Sequence, residues 1–462
     1  MELSRKAIER VSQVFLKAQL RDVRLERRAV ALAEALACNP RQSLLQVWSL
    51  TGALQAGYDF LRNPKCDFTA LMAPIQQTAY ERSLNEGCVL VLHDTTDVLC
   101  PAAEAEEVGF LPSGKAGFFV HHALCITPDR TPLGVLWSDA WGRPQRSTGR
   151  SRFMSGHDLA KLEERESDRW LEGLTEAHLW TEGCKQVVHV LDSEADSFRI
   201  FEHAQALRAN FVIRLSHIRR TDDGSVSDEL AHSPVVLRRT VAESARRRKS
   251  TPRSSHGERR ARDAELSVRC ARVTIQPPQH SAGNAEIELN VLQILEEKPA
   301  EGSEPIVWML ATSLPIGKPS EIERIIDIYR ARWVVEEFHK ALKTGCMFEK
   351  RQLESFEALT TLLALSYPVV CELLRVRSRA RQSGLPASDV LRQSMLDCLR
   401  AHPKARPLSA NPTAEEALAV IAAMGGHIKW NGPPGWQSLA AGYMQLLAFE
   451  QGWLAALSQR QT

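Results

Sequence analysis

Apolar and charged positions alternate at helical spacing from residue 7 to about 38, and RLERRAVALAEALA (24–37) gathers its apolar residues on one helix face. The pattern stops at Cys38-Asn39-Pro40. A second run, SLLQVWSLTGALQAGYDFLRNP, predicts a helix that ends at Pro64, so residues 1–70 are expected to form a small helical domain. From about residue 85 the period changes to short apolar runs: CVLVLHD (88–94), GFFVHHALCIT (117–127), PLGVLWSDAW (132–141) and QVVHVLDSEAD (186–196). These predict strands, the first and last almost continuously apolar, as in a sheet buried on both faces. ELSVRCARVTI, EIELNVLQI and PIVWMLATS predict further strands in a β-rich insertion at about 215–305. From 321 onward the pattern is helical, broken by HPKARPLSANP (402–412). The expected class is α/β. A core domain at 71–370, followed by a helical C-terminal domain at 371–462, is expected.

A chain of 462 residues exceeds the size of one efficiently packed core and is long enough for an enzyme. Its 44% hydrophobic and 25% charged residues are ordinary for a globular protein, and the net charge of +2 advertises no particular partner. Charge is uneven along the chain, however. The segment 238–262 holds ten Lys or Arg against two Glu, a local charge near +8, and reads as a mobile basic loop with nonspecific affinity for nucleic acid. The charged N-terminus lacks the apolar core of a secretion signal, and no run reaches the roughly 18–20 consecutive apolar residues of a membrane span. A cytoplasmic protein is expected. The ten cysteines show no C-x-x-C or zinc spacing and read as reduced and structural.

Asp94 closes one apolar strand and Asp192 another. Either alone reads as a turn residue; on strands of one sheet the two can lie side by side, where their mutual repulsion favours binding a hard divalent cation. The third feature is more specific. In IIDIYRARWVVEEFHKALKTG, advancing about 100° per residue on one uninterrupted helix places Tyr329, Arg332, Glu336, Lys340 and Lys343 within an arc of about 80°. Val334, Val335, Phe338, Ala341 and Leu342 face the other way. A solvated face would also carry charge, but one carboxylate among cationic and aromatic residues suits metal ligation beside bound phosphates. Three carboxylates can assemble a two-metal phosphodiester chemistry.

The same segment resembles the YREK signature of bacterial DDE transposases of the Tn-five type, in the IS-four superfamily, with Tyr329, Arg332, Glu336 and Lys343 on the signature positions. HDTTD around Asp94 and VLDSEADS around Asp192 resemble the two catalytic aspartate motifs. FVIRLSH (211–217), PIVWMLATS (305–313), GYDFLRNP, the GG at 425–426 and the GW at 435–436 extend the similarity over nearly the whole chain. The resemblance implies an RNase H-like core in which Asp94, Asp192 and Glu336 hold two magnesium or manganese ions. The 144 positions between Asp192 and Glu336 fit the family's inserted β-domain. Tyr329, Arg332 and Lys343 would grip phosphates near the cleaved end; Trp308 would stack on a flipped base, assisted by Arg214 and Lys340. Arg24, Arg27, Arg28 and Arg62 of the N-terminal domain would read the terminal inverted repeat, their bland alternative being a solvated face. The implied activity is cut-and-paste transposition: nicking, hairpin formation and opening, and strand transfer into target DNA by a homodimer paired through the C-terminal helices.

Asp97 departs from the pattern, and the sequence assigns it no role. His121 also matches the family and reads as structural. Two rival readings are a catalytically silent DNA-binding regulator derived from a transposase, and a small-molecule phosphatase of the haloacid dehalogenase type. The intact carboxylate triad opposes the first. The Asp94-x-x-Asp97 spacing and the unexplained Tyr, Arg and Lys stripe oppose the second.

Overall fold

The structure is a computed structural model and describes residues 5–49, 54–143, 156–243, 262–278, 285–299, 305–380, 384–402, 408–427 and 434–460. The chain opens with helices α1 (Arg5–Phe15), α2 (Val23–Cys38), α3 (Leu44–Ser49), α4 (Leu54–Leu61) and α5 (Phe68–Ser83). Strand β1 (Val89–Leu99), the short α6 (Ala105–Val108), β2 (Gly117–Ile126), β3 (Pro132–Trp141) and α7 (Gly156–Leu179) follow. Next come β4 (Val187–Leu191), α8 (Phe198–Ala206), β5 (Asn210–Arg214), β6 (Arg220–Thr221), β7 (Gly224–Ser225) and α9 (Val226–His232). β8 (Val235–Glu243), β9 (Arg262–Ile275), β10 (Ile287–Glu296) and β11 (Val307–Thr312) precede α10 (Pro319–Ala331) and α11 (Trp333–Lys340). The last helices are α12 (Phe356–Ala380), α13 (Gln393–Ala401), α14 (Ala414–Met424) and α15 (Trp436–Arg460).

Two compact units result. One comprises Met1–Glu86, Thr95–Leu162 and Val334–Thr462; the other comprises Gly87–Asp94 and Glu163–Trp333. In the first, α2 starts where Asp22 accepts a hydrogen bond from the Arg24 amide, a sequence-encoded cap. The helix expected to end at Pro64 is divided into α3 and α4, and residues 50–53 lie outside the described ones. α12 is the core helix of this unit. It is apolar and long enough to cross a membrane, yet 94% of its apolar window is buried in the protein, as in a soluble core. Arg10 of α1 donates to the buried Glu372 of α12 from Nε and Nη2 at 2.7–3.1 Å. Arg82 of α5 and Arg375 of α12 donate to the Leu133 and Pro132 carbonyls at the start of β3.

In the second unit the strands lie in the order β1–β4–β5–β11–β10–β9–β8. β1, β4 and β5 are parallel, and β5, β11, β10, β9 and β8 pair antiparallel in turn, giving a large mixed sheet consistent with an RNase H-like transposase core. The inserted strands therefore continue the sheet of the core. The backbone groups of β5 that would otherwise form an open edge are satisfied by β11. One face packs Leu191, Phe211, Ile213, Val291 and Ala311 against Phe198 and Phe201 of α8 and Trp170 and Leu174 of α7. Most of the basic run at 238–262 lies outside the described residues. Its described ends are paired, Arg238 with Glu297 at 2.8 Å, Arg239 with Asp327 at 2.7 Å and Arg262 with the buried Glu296 at 2.6 Å.

α14 and α15 approach through glycine: a Cβ on Gly442 would collide with the Ile421 carbonyl, and one on Gly425 with the Ser438 carbonyl. Gly442→Ala is expected to force the helices apart and to destabilise the fold by about 1–3 kcal/mol. Thermal unfolding checks this; an unchanged midpoint would mean that the helix pair yields without cost.

Candidate active site

The second unit builds its site from strand register. β1 pairs with β4 at a constant offset, from Val89↔Val187 to Leu92↔Val190, and β4 pairs with β5 from Val188↔Asn210 to Leu191↔Ile213. The paired rows end at Leu92↔Val190 and Leu191↔Ile213, and the same offsets carried on past them bring Asp94, Asp192 and Arg214 level with one another on three parallel strands. Asp192 keeps an extended backbone (φ −90°, ψ −167°), and the alternation of faces carries through to it. Residues in one row of a parallel sheet project to the same face, on strands about 4.8 Å apart. This face is opposite the one that holds Leu191 and Ile213 in the core.

α10 covers the aspartate face. Across the β5–β11 pair, Arg214 lies opposite Leu310, and Trp308, two residues along, projects to the same side. The Trp308 and Tyr329 rings meet edge to face at 5.6 Å. Trp308 is half-buried, between the core tryptophan and the open stacking platform that the sequence left as alternatives. The Arg214 guanidinium faces the Tyr329 phenol. Burial pushes that phenol's pKa up, while the guanidinium charges of Arg332 and Arg214 pull it partly back, so Tyr329 keeps its proton at neutral pH and can donate it in a hydrogen bond. Arg332, also buried, places Nη1 3.7 Å from Asp94 Oδ2. Asp94, Asp192, Arg214, Trp308, Tyr329 and Arg332 are thus gathered within this one unit.

The remaining candidates belong to the first unit. Glu336 stands half-buried on α11 and Lys340 is exposed at its end. The uninterrupted helix expected over this segment is broken twice: α10 ends at Ala331 with Arg332 as its C-cap, and α11 passes into a π-helical turn, Ala341–Gly345. The uniform rotation behind the five-residue stripe therefore does not extend to Lys343, which rides on the wider turn. Lys343 Nζ lies 2.9 Å from Asp97 Oδ1 and 3.8 Å from Glu349 Oε1, and Glu349 accepts a hydrogen bond from the Leu99 amide. Asp97, unexplained in the sequence, is a partner of Lys343. Its side chain is 55% exposed, so the pair contributes at most about 1 kcal/mol, and exchanging it for a phosphate costs little.

Arg24 and Arg27 on α2, and Arg62 after α4, are exposed, and Arg28 is half-buried; Arg24 makes a 3.4 Å pair with Asp22. Two further residues escaped the sequence reading. Trp333 is 53% exposed with the Arg332 guanidinium 5.6 Å from its ring centre. Its helical angle, beside Lys340 and away from the apolar face, was the available signal. Asp196 is the other: its buried carboxylate accepts from the Ser216 and His217 amides at 2.7 and 2.8 Å and from Arg219 Nε at 3.0 Å. It ties the turn after β4, capped by Asp192 at the Glu194 amide, to the loop after β5.

Two carboxylates in one row repel each other and favour a shared cation. Among the described residues no group of three or more His, Cys, Asp or Glu side chains is drawn together as a metal cage. A hard ion that keeps its waters and takes one or two carboxylates plus substrate phosphate fits the oxygen donors of Asp94 and Asp192.

Residues 10–66 match the family of transposase DNA-binding domains, and residues 162–367 match the transposase DDE domain. By these two domains the chain is a DDE transposase, a class of DNA-acting enzyme that uses divalent metal ions. Among solved structures, the chain is similar to the piggyBac transposase synaptic complex with hairpin DNA, determined by cryo-EM, at 9% identity over 82% of this chain and 74% of that one. The TM-score of 0.33 is too low for that likeness to carry weight.

Burial alone would raise the pKa of Asp196, but the Ser216 amide, Arg219 and the His217 amide outweigh it and hold the carboxyl below its ordinary value. A depressed carboxyl pKa stabilises the fold above the unfolded value, near 4, and that contribution fades as pH falls through the folded value. Asp196→Ala, which strands Arg219, is expected to cost about 3–5 kcal/mol at pH 7. The stability gap between wild type and Asp196→Asn should narrow below pH 4, as read by denaturant unfolding at several pH values. A gap independent of pH would contradict the ionised anchor.

Proposed function

We propose that this transposase is a cut-and-paste enzyme of the Tn-five type, carrying the YREK signature and acting on the terminal inverted repeats of its own element. The observation that carries this reading is the row of Asp94, Asp192 and Arg214, with Tyr329, Arg332 and Trp308 gathered over it. Asp94, Asp192 and Glu336 would hold two magnesium or manganese ions, which when bound supply activated water and charge stabilisation at the scissile phosphate. Arg332 and Arg214 neutralise and orient that phosphate, and the Tyr329 hydroxyl donates a hydrogen bond to it. Lys343 exchanges Asp97 for a backbone phosphate, and Trp308, assisted by Lys340, stacks on an unstacked base. The released 3′ hydroxyl attacks the opposite strand to form a hairpin. Hydrolysis reopens the hairpin, and strand transfer into target DNA follows with no covalent enzyme intermediate. Two protomers pair the two ends in the synaptic complex through their C-terminal helices, where Trp453, Leu454 and Leu457 of α15 are exposed. The N-terminal arginines hold the repeat.

Labelled DNA bearing the repeats that flank the coding region should be cut at the repeat ends with magnesium or manganese and left intact with chelator. Glu336→Gln should bind the DNA with wild-type affinity and cut at least 1000-fold more slowly, in line with the loss of a group acting in the transition state. Equal cutting by both proteins would remove Glu336 from the reaction. Binding without cutting by either would favour the silent regulator. Replacing Arg24, Arg27, Arg28 and Arg62 by Ala should weaken end binding and flatten the plot of log affinity against log salt by about 0.9 per lost phosphate contact. An unchanged slope would return these arginines to an ordinary solvated face.

A further inference from the structure

Beneath α11 the first unit buries a chain of polar side chains that the reaction outlined above does not use. Ser138 Oγ on β3 donates to the His121 carbonyl at 2.9 Å and lies 2.8 Å from the Tyr367 hydroxyl of α12. The Tyr367 hydroxyl lies 3.0 Å from His122 Nε2 on β2, and His122 Nδ1 lies 3.2 Å from His339 Nε2 on α11. Tyr367 and His122 are fully buried; Ser138 and His339 are 8% and 7% exposed.

Proton counting gives this chain one direction. A carbonyl only accepts, so the single Ser138 proton is committed to His121. Tyr367 must then donate to Ser138, which leaves its oxygen to accept from His122 Nε2–H. Burial pushes the His122 pKa well below its ordinary value and the Tyr367 pKa up, so the ring is neutral and the phenol keeps its proton. A neutral ring protonated at Nε2 has a bare Nδ1, and that nitrogen accepts from His339 Nε2–H. Reversing any one link would set two lone pairs or two protons against each other at hydrogen-bond distance in the buried interior.

We propose that Ser138, Tyr367 and His122 are positioning residues for Glu336, acting through His339. His339 lies three residues after Glu336 on α11, about 60° around the same helix, immediately before the π-helical turn. A directional hydrogen bond to His339 fixes the rotation of α11 over β2. A site held within about 10–20° of its productive angle cannot tolerate a loose helix. This inference rests on the assignment of Glu336 to the reaction.

The test begins with the 15N chemical shifts of His122 in the full-length wild-type protein, expected to report Nε2–H; an Nδ1–H tautomer would overturn the wire. Ser138→Ala removes the acceptor of the Tyr367 proton, which then turns to His122 Nε2 and drives that ring to Nδ1–H, against His339. Single-turnover cleavage of repeat-end DNA should fall about tenfold with the DNA Kd unchanged, and Ser138→Thr, which keeps the hydroxyl, should restore it. Tyr367→Phe should reproduce the loss and stands in if Ser138→Ala fails to fold. A folded Ser138→Ala or Tyr367→Phe protein that cuts at the wild-type rate would overturn the coupling to Glu336. If the wild type itself does not cut, the functional reading fails and the coupling falls with it, while the tautomer still decides the wire.

Discussion

Register between parallel strands is the constraint on which the candidate site depends. The apolar residues of β1, β4 and β5 are buried on both faces of the sheet, and slipping any one strand by a single residue would turn its whole set over. That cost fixes the offsets, and the offsets align Asp94, Asp192 and Arg214. The polar row is thus held by apolar packing several residues away from it. Such support is stiff, and a carboxylate pair needs stiffness to stay close against its own repulsion.

Electrostatic balance around the row comes from α10. Arg332 stands against Asp94, Arg214 against Tyr329, and the ring of Trp308 closes the side of the group. Asp94, Arg214, Trp308 and the Tyr329–Arg332 pair come from four separate parts of the sequence, and the helix is itself seated by apolar residues such as Ile322, Ile325 and Ile326. Asp196 performs a related task at the loops. One buried carboxylate satisfies two amides and a guanidinium, and the turn after Asp192 is tied to the segment that follows Arg214.

In the first unit, helix geometry does the equivalent work. The π-helical turn after α11 re-aims Lys343 toward Asp97 and Glu349, and the Ser138–Tyr367–His122–His339 chain gives the preceding helix a fixed rotation. Both features lie within a few residues of Glu336. Buried polar groups of this kind cost desolvation, and they persist where every member is satisfied.

The sequence by itself determined the local elements and the chemistry available to them. The apolar runs before Asp94 and Asp192 were strands, 24–37 was an amphipathic helix, and the alternation near 325–345 marked a cationic, aromatic and acidic segment. These properties are local, set by periodicity and side-chain type over a few turns or strand positions. Tertiary structure alone decided the rest. The common row of Asp94, Asp192 and Arg214 needs pairing between segments separated by 98 and 22 positions. The partnership of Asp97 with Lys343 spans 246 positions, and the joining of the insertion to the core sheet depends on β11 meeting β5. The break at Arg332 and the π-helical turn also escaped a uniform 100° rotation, because packing selects helix irregularities that local periodicity does not encode.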